Sequence, residues 1–198
     1  ETIQRVPERL REATRHFFQD WLHVLPPKPE IWALIAELKA RGARGVKLHP
    51  DFQRFIVDRE DMFPVYEACA ALGLPVLFHV GDQNSDASSP ARVRHIAERV
   101  PALKVIAAHM CGYSVWDEAE RELIGTSVYT DTSDALIGLP PERVYALIEK
   151  HGVTRVMFGS DYPLRTTRSA YDALMKLPFT DAEREQILLK TAADLFGV

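Results

Sequence analysis

Short apolar, β-branched runs alternate with longer amphipathic stretches along the chain. Residues 30–42 put Ile31, Leu34, Ile35 and Leu38 on one helical face, and Gly42 follows as a stop. Residues 45–49 read as a strand ended by Pro50. Met62, Val65, Tyr66 and Cys69 mark a second helix, closed by Gly73 ahead of a strand over 74–80. Ser89 and Pro90 have the residue types of an N-cap and a first helical position. Val93, Ile96, Ala97 and Val100 supply that helix's buried stripe, and a strand over 103–109 follows. A helix over 115–124, a strand over 127–131, and a helix from Pro140 or Pro141 carrying Val144, Leu147 and Ile148 continue the pattern. After a strand over 154–159 two helices finish the chain, the last opening on Thr180 and Glu183 spaced as a capping box. Upstream of all this, residues 3–17 pattern as a helix and 18–25 as a strand.

Such alternation predicts an α/β fold, a parallel sheet covered by helices. Six strands are expected, near 18–25, 45–49, 74–80, 103–109, 127–131 and 154–159. The composition is that of an ordinary globule, with 46% hydrophobic and 26% charged residues in 198, so disorder and fibre are excluded. The net charge of -4 offers no basic field for nucleic acid, and no apolar run is long enough to cross a bilayer. Cys69 and Cys111 form neither a CxxC pair nor a disulfide framework. These features predict one soluble, cytoplasmic domain over 1–198, without a nucleic-acid or membrane partner. Its first residue is Glu1, so processing or a missing N-terminal stretch is expected.

The chemistry is announced by a spacing. His49, His79 and His109 stand 30 residues apart, and Asp131 and Asp161 continue the series. One strand–helix unit takes roughly 30 residues, so each group occupies the C-terminal end of a successive strand. In parallel α/β folds that is where active-site groups converge. A lone strand-end histidine more often just bonds a loop carbonyl. As a set, these ionisable groups are too costly to bury together unless they are paired or bind a metal. Imidazole and carboxylate are ligand types that catalytic zinc accepts. Lys47 shares a strand face with His49 and should also point inward, to pair with a carboxylate, hold an anionic substrate or serve as a modified ligand. Gln53, Asp82 and Arg92 fall where substrate contacts are made, or are ordinary loop chemistry. His16, His23, His95 and His151 read as structural, Trp116 as packing, and Cys111 as an inert thiol close to His109.

Five segments carry a resemblance. Gly45-Val-Lys-Leu-His-Pro-Asp-Phe-Gln53, Val76-Leu-Phe-His-Val-Gly81, Ile106-Ala-Ala-His-Met-Cys-Gly112, Val128-Tyr-Thr-Asp-Thr-Ser133 and Phe158-Gly-Ser-Asp-Tyr-Pro163 resemble successive strand ends of the amidohydrolase superfamily. They are most similar to its amidohydrolase-2 branch, which includes the aminocarboxymuconate-semialdehyde decarboxylases. The resemblance implies a (β/α)8 TIM-barrel type with one divalent metal, zinc in most members, at its C-terminal mouth. It makes His79 a metal ligand, Asp161 a ligand and proton acceptor, and His109 the general acid/base. His49 and Lys47 would line the site, with Gln53 and Arg92 as further substrate contacts.

One departure stands out: the family's His-x-His on its first strand is absent from this sequence. Six strands match the third to the eighth of the family barrel, so about 60 residues are missing from the front. A truncated piece of a full enzyme is the favoured explanation over a naturally shortened relative that has lost the complete metal site. Thr191 stands where relatives often have Asn. The function expected is metal-dependent hydrolysis of a small amide, ester, lactone or related substrate through a metal-activated water. Non-oxidative decarboxylation at the same mouth is the runner-up, and a non-catalytic partial barrel is the alternative of another class. Unpaired sheet edges would favour a homo-oligomer.

Overall fold

The computed structural model describes residues 28–197. The helix expected over 3–17, the strand expected over 18–25, and His16 and His23 lie outside the described residues. Within them the chain runs α1 (Lys28–Ala40), β1 (Val46–Leu48), α2 (Pro50–Gln53), a 3-10 turn (Glu60–Met62), α3 (Phe63–Ala71) and β2 (Val76–Phe78). Next come α4 (Pro90–Arg99), β3 (Val105–Ala107), α5 (Trp116–Glu122), β4 (Tyr129–Asp131), α6 (Ala135–Gly138) and α7 (Pro141–His151). A 3-10 turn (Val153–Arg155) leads into β5 (Val156–Met157), followed by α8 (Thr167–Leu174), α9 (Asp181–Glu185), a π-helical turn (Gln186–Lys190) and α10 (Thr191–Phe196).

The five strands form one parallel sheet in chain order. Its register aligns Leu48, Phe78, Ala107, Thr130 and Val156 across one face. Lys47, Leu77, Ile106 and Tyr129 align across the other, because successive side chains point to opposite sides. The first face meets the main core, where Val93 and Ile96 of α4 and Val144, Leu147 and Ile148 of α7 are buried. On the second face Ile106 and Met157 pack against Leu195, with Leu77, Tyr129, Ala192 and Phe196 around them. The closing helix α10 therefore covers the inner side of the sheet.

The strands are two or three residues long, shorter than the runs that announced them. Gly152, at φ +94°, opens the 3-10 turn that takes Thr154 out of the last strand. Pro50 ends β1 as expected, but it also starts α2, since a proline that cannot continue a strand suits the first turn of a helix. Ser89 and Pro90 do open α4, yet the Ser89 side chain makes no capping bond. The capping box forms fully: Thr180 Oγ1 accepts from the Glu183 N–H and Glu183 Oε2 from the Thr180 N–H. No helix among the described residues is long and apolar enough to cross a membrane.

Candidate active site

The sheet delivers the polar groups of the repeat to its C-terminal edge. His49 and His79 lie one residue beyond β1 and β2, His109 two beyond β3, and Asp131 is the last residue of β4. Asp161 follows β5 by four residues. His79 Nδ1 and His109 Nε2 are 3.0 Å apart in a hydrogen bond. On its other side His109 Nδ1 lies 2.8 Å from Ser133 Oγ and 3.5 Å from Asp134 Oδ2. The Ser133 hydroxyl also bonds Asp131 Oδ1, and that oxygen accepts the N–H groups of Ser133 at 2.8 Å and His109 at 3.3 Å. Gly159 makes room for this carboxylate: a Cβ there would stand 3.2 Å from Asp131 Oδ1. The Trp116 indole donates to the His109 carbonyl at 2.9 Å and so fixes the same loop from outside.

The backbone is bent to make these contacts. His109, Met110 and Cys111 all have φ between 49° and 66°, as do Asp134 and Asp161, at 57° and 56°. Side chains other than glycine rarely adopt such values, and strain of this kind gathers at functional sites.

Burial decides the charge states. His79 is pushed down to about 3, first by desolvation and then by His49, His109 and Lys47 beside it. His49 is lowered too, mainly by desolvation. The Asp134 carboxyl is raised by desolvation, and its hydrogen bond with Asp161 adds to this. Lys47 is lowered by desolvation, against the attraction of Asp131 and Asp161. Its side chain is solvent-exposed.

A family model described as amidohydrolase matches residues 2–198. The chain belongs to the amidohydrolase-2 family. No curated protein matches it. Among solved structures it is similar to an uncharacterised TIM-barrel protein of Bordetella bronchiseptica, with a TM-score of 0.70, 23% identity, and coverage of 87% of this chain and 63% of that one. A candidate 2-pyrone-4,6-dicarboxylic acid hydrolase of Pseudomonas putida gives 0.64 at 23% identity, covering 84% and 67%. A dihydroxybenzoic acid decarboxylase of Polaromonas, solved with manganese and 2-nitroresorcinol, gives 0.56 at 20% identity, covering 71% and 55%. The chain thus spans roughly three fifths of the length of these relatives, and the likeness shows an α/β fold of TIM-barrel type. The amidohydrolase-2 family consists of metal-dependent enzymes, and its solved members include hydrolases and decarboxylases.

Two groups of candidate metal donors are present among the described residues. Each places its donor atoms within 4.8 Å of one another: His49, Asp51 and His79, and His109, Asp134 and Asp161. Two atoms of the first group, His49 Nδ1 and Asp51 Oδ1, are buried without a hydrogen-bond partner among the described residues. Imidazole and carboxylate donors together suit zinc or manganese. His79 and Asp161 fall in different groups, joined through the His79–His109 bond.

Other residues singled out from the sequence take varied places. The Gln53 side chain accepts the His49 N–H at 2.7 Å and so braces the start of α2. Arg92 is held by Asp58 and Asp86, at 2.8 and 2.6 Å, on the outer side of α4. Asp82 closes its own turn by accepting the Asn84 N–H. Buried Cys111 is pushed up to about 12 by desolvation, an inert thiol. His95 pairs with Asp58, and His151 is sealed in the core. Asp51, Ser133 and Asp134 were not singled out by the spacing; the run Asp131-Thr-Ser-Asp134 carried the signal, as polar groups crowded at one strand end.

Proposed function

We propose that this chain carries most of the active site of a metal-dependent hydrolase acting on a small amide, ester, lactone or related substrate. The observation that carries the reading is the hydrogen-bonded pair of His79 and His109 flanked by Asp134 and Asp161 at the strand C-termini. In this reading His79 and Asp161 hold one divalent cation, zinc by preference, with His49 lining the site. When bound, the cation supplies Lewis acidity, lowering the pKa of a water and polarising the scissile group. His109 moves the proton between nucleophile and leaving group at Nε2, which leaves its bond with His79 to do so, and Asp161 accepts it in turn. Lys47 takes the anionic end of the substrate, while Gln53 is accessory through its bond to the His49 N–H and Arg92 through its ion pairs with Asp58 and Asp86. The chain acts as one domain over 1–198, in the cytoplasm, as a homo-oligomer joined through sheet edges.

A second reading, non-oxidative decarboxylation, is favoured by the manganese-bearing decarboxylase among the solved relatives and by Arg165 beside the Asp134 carboxylate. Incubation with a lactone dicarboxylate and a hydroxybenzoate separates the two: ring-opened product supports hydrolysis, and released CO₂ supports decarboxylation. In the active form His109→Ala should lower turnover by about 10²–10⁴-fold. Full activity of that variant would remove His109 from its role.

A further inference from the structure

His79, His109, Ser133 and Asp131 form a run of hydrogen bonds in which protons can be counted. Asp131 Oδ1 already collects two backbone N–H groups, so it is an acceptor and carries no proton of its own. The single hydroxyl proton of Ser133 must then go to Asp131. That leaves only lone pairs on Oγ to face His109 Nδ1 at 2.8 Å. A bond there requires the proton to sit on Nδ1. Asp134 Oδ2 lies 3.5 Å from the same nitrogen, too far to fix the proton by itself. A neutral imidazole protonated at Nδ1 has its lone pair on Nε2. The 3.0 Å contact to His79 Nδ1 is therefore a bond donated by His79. His79, in turn, has its own lone pair on Nε2, for which the described residues provide no hydrogen-bond partner.

We propose that Asp131 and Ser133 are positioning residues that set the tautomer of His109 and, through it, that of His79, so that His79 turns the lone pair of Nε2 toward the cation. Metal-binding histidines usually owe their orientation to a partner on the second ring nitrogen, most often a carboxylate or a carbonyl. Here that partner is another histidine, and the carboxylate acts two hydrogen bonds away. Gly159 keeps the space in which Asp131 lies against the loop. The tautomers follow from the hydrogen bonds alone; only the orientation toward a cation rests on the function proposed above.

The test is a long-range ¹H–¹⁵N correlation spectrum of the ¹⁵N-histidine-labelled chain, at a pH of about 8, above the ordinary histidine range. Rings are assigned by removing one histidine at a time. Both His79 and His109 should carry the proton on Nδ1; a proton on Nε2 of His109 overturns the proposal. Ser133→Ala combined with Asp134→Ala removes both acceptors and should bring out the Nε2–H form of His109, while Ser133→Thr keeps the original tautomer. A double variant with unchanged tautomers also overturns it. Zn²⁺ affinity, measured by competition with a chromophoric chelator, should fall about 10-fold or more in the double variant and by less in Asp134→Ala alone, which removes a candidate donor but keeps the Ser133 acceptor. Unchanged affinity would overturn the orienting role toward the cation. Lack of turnover on every substrate would count against the proposed function and leave the tautomers standing.

Discussion

The imidazole of His49 lies flat on that of His79, ring centroids 3.9 Å apart and planes 9° from parallel. Phe52 continues the stack on the far side of His49, at 4.0 Å and 10°. Ring-nitrogen lone pairs lie in the ring plane, so two parallel stacked imidazoles cannot both aim at one ion placed between them. His49 thus shields one face of His79 and leaves the coordination to its neighbour. His49→Ala should change Zn²⁺ affinity by less than about 3-fold, whereas His79→Ala should weaken it by at least about 10-fold, no less than a supporting residue costs. Chelator competition on both variants checks this. Equal losses would make His49 a ligand and require the rings to unstack on binding.

The loops after β2 and β3 touch at Gly81, and this contact holds His79 and His109 in register. Tyr113 N–H donates to the Val80 carbonyl at 2.8 Å, and Gly81 N–H to that of Ser88 at 2.9 Å. Gly81 has φ +85°, and a Cβ would stand 2.7 Å from both the Tyr113 carbonyl oxygen and Val115 Cγ2. Gly81→Ala therefore adds a steric clash to backbone strain and should destabilise the chain by about 2–4 kcal/mol. Gly73 is the control, with φ +67° and open space around its Cβ position. Gly73→Ala should cost only the conformational strain, about 1–2 kcal/mol. Urea unfolding of the pair measures the difference; equal losses would mean that the loops give way without cost.

How much of this was legible in the sequence follows from what each feature depends on. The helix stripes of Ile31 and Ile35 or of Val144, Leu147 and Ile148 are periodic, and all these residues are buried where the period put them. The 30-residue series His49, His79, His109 was legible because each strand–helix unit has nearly constant length. Pro50 was read only as a stop, since a chain pattern shows what proline forbids more readily than what it begins. Arg92 stood at a helix start facing candidate substrate space, but its guanidinium is claimed by Asp58 and Asp86, which are distant or unremarkable in sequence. Ser133 escaped notice because a serine acquires meaning only from the nitrogen on one side and the carboxylate on the other. That arrangement arises from the crossing of two loops.

His151 offers a pH test in the core, away from the candidate site. It ends α7 fully buried, accepting the Gly125 N–H at Nδ1 at 3.1 Å and donating from Nε2 to the Val128 carbonyl at 2.9 Å. Both nitrogens are used by the neutral ring, and a second proton would face a donor. Desolvation pushes its pKa down to about 4, with Arg155 adding to the effect against the Val128 bond. The unfolded chain takes up this proton near the ordinary 6.5. Between those values the unfolded state binds more protons than the native one, so stability is fully present above 6.5 and is lost as pH falls toward 4. The loss amounts to about 3 kcal/mol once pH reaches the folded value. His79 acts with the same sign over a window reaching down to about 3. His151→Gln keeps one donor and one acceptor but does not titrate, so its unfolding free energy should fall less steeply over this range, whatever its value at neutral pH. Urea unfolding of both proteins at pH values from 7 down to 4 gives the two slopes. Parallel slopes would show that His151 is not held neutral by burial, and the acid sensitivity would then have to come from the histidines of the strand ends.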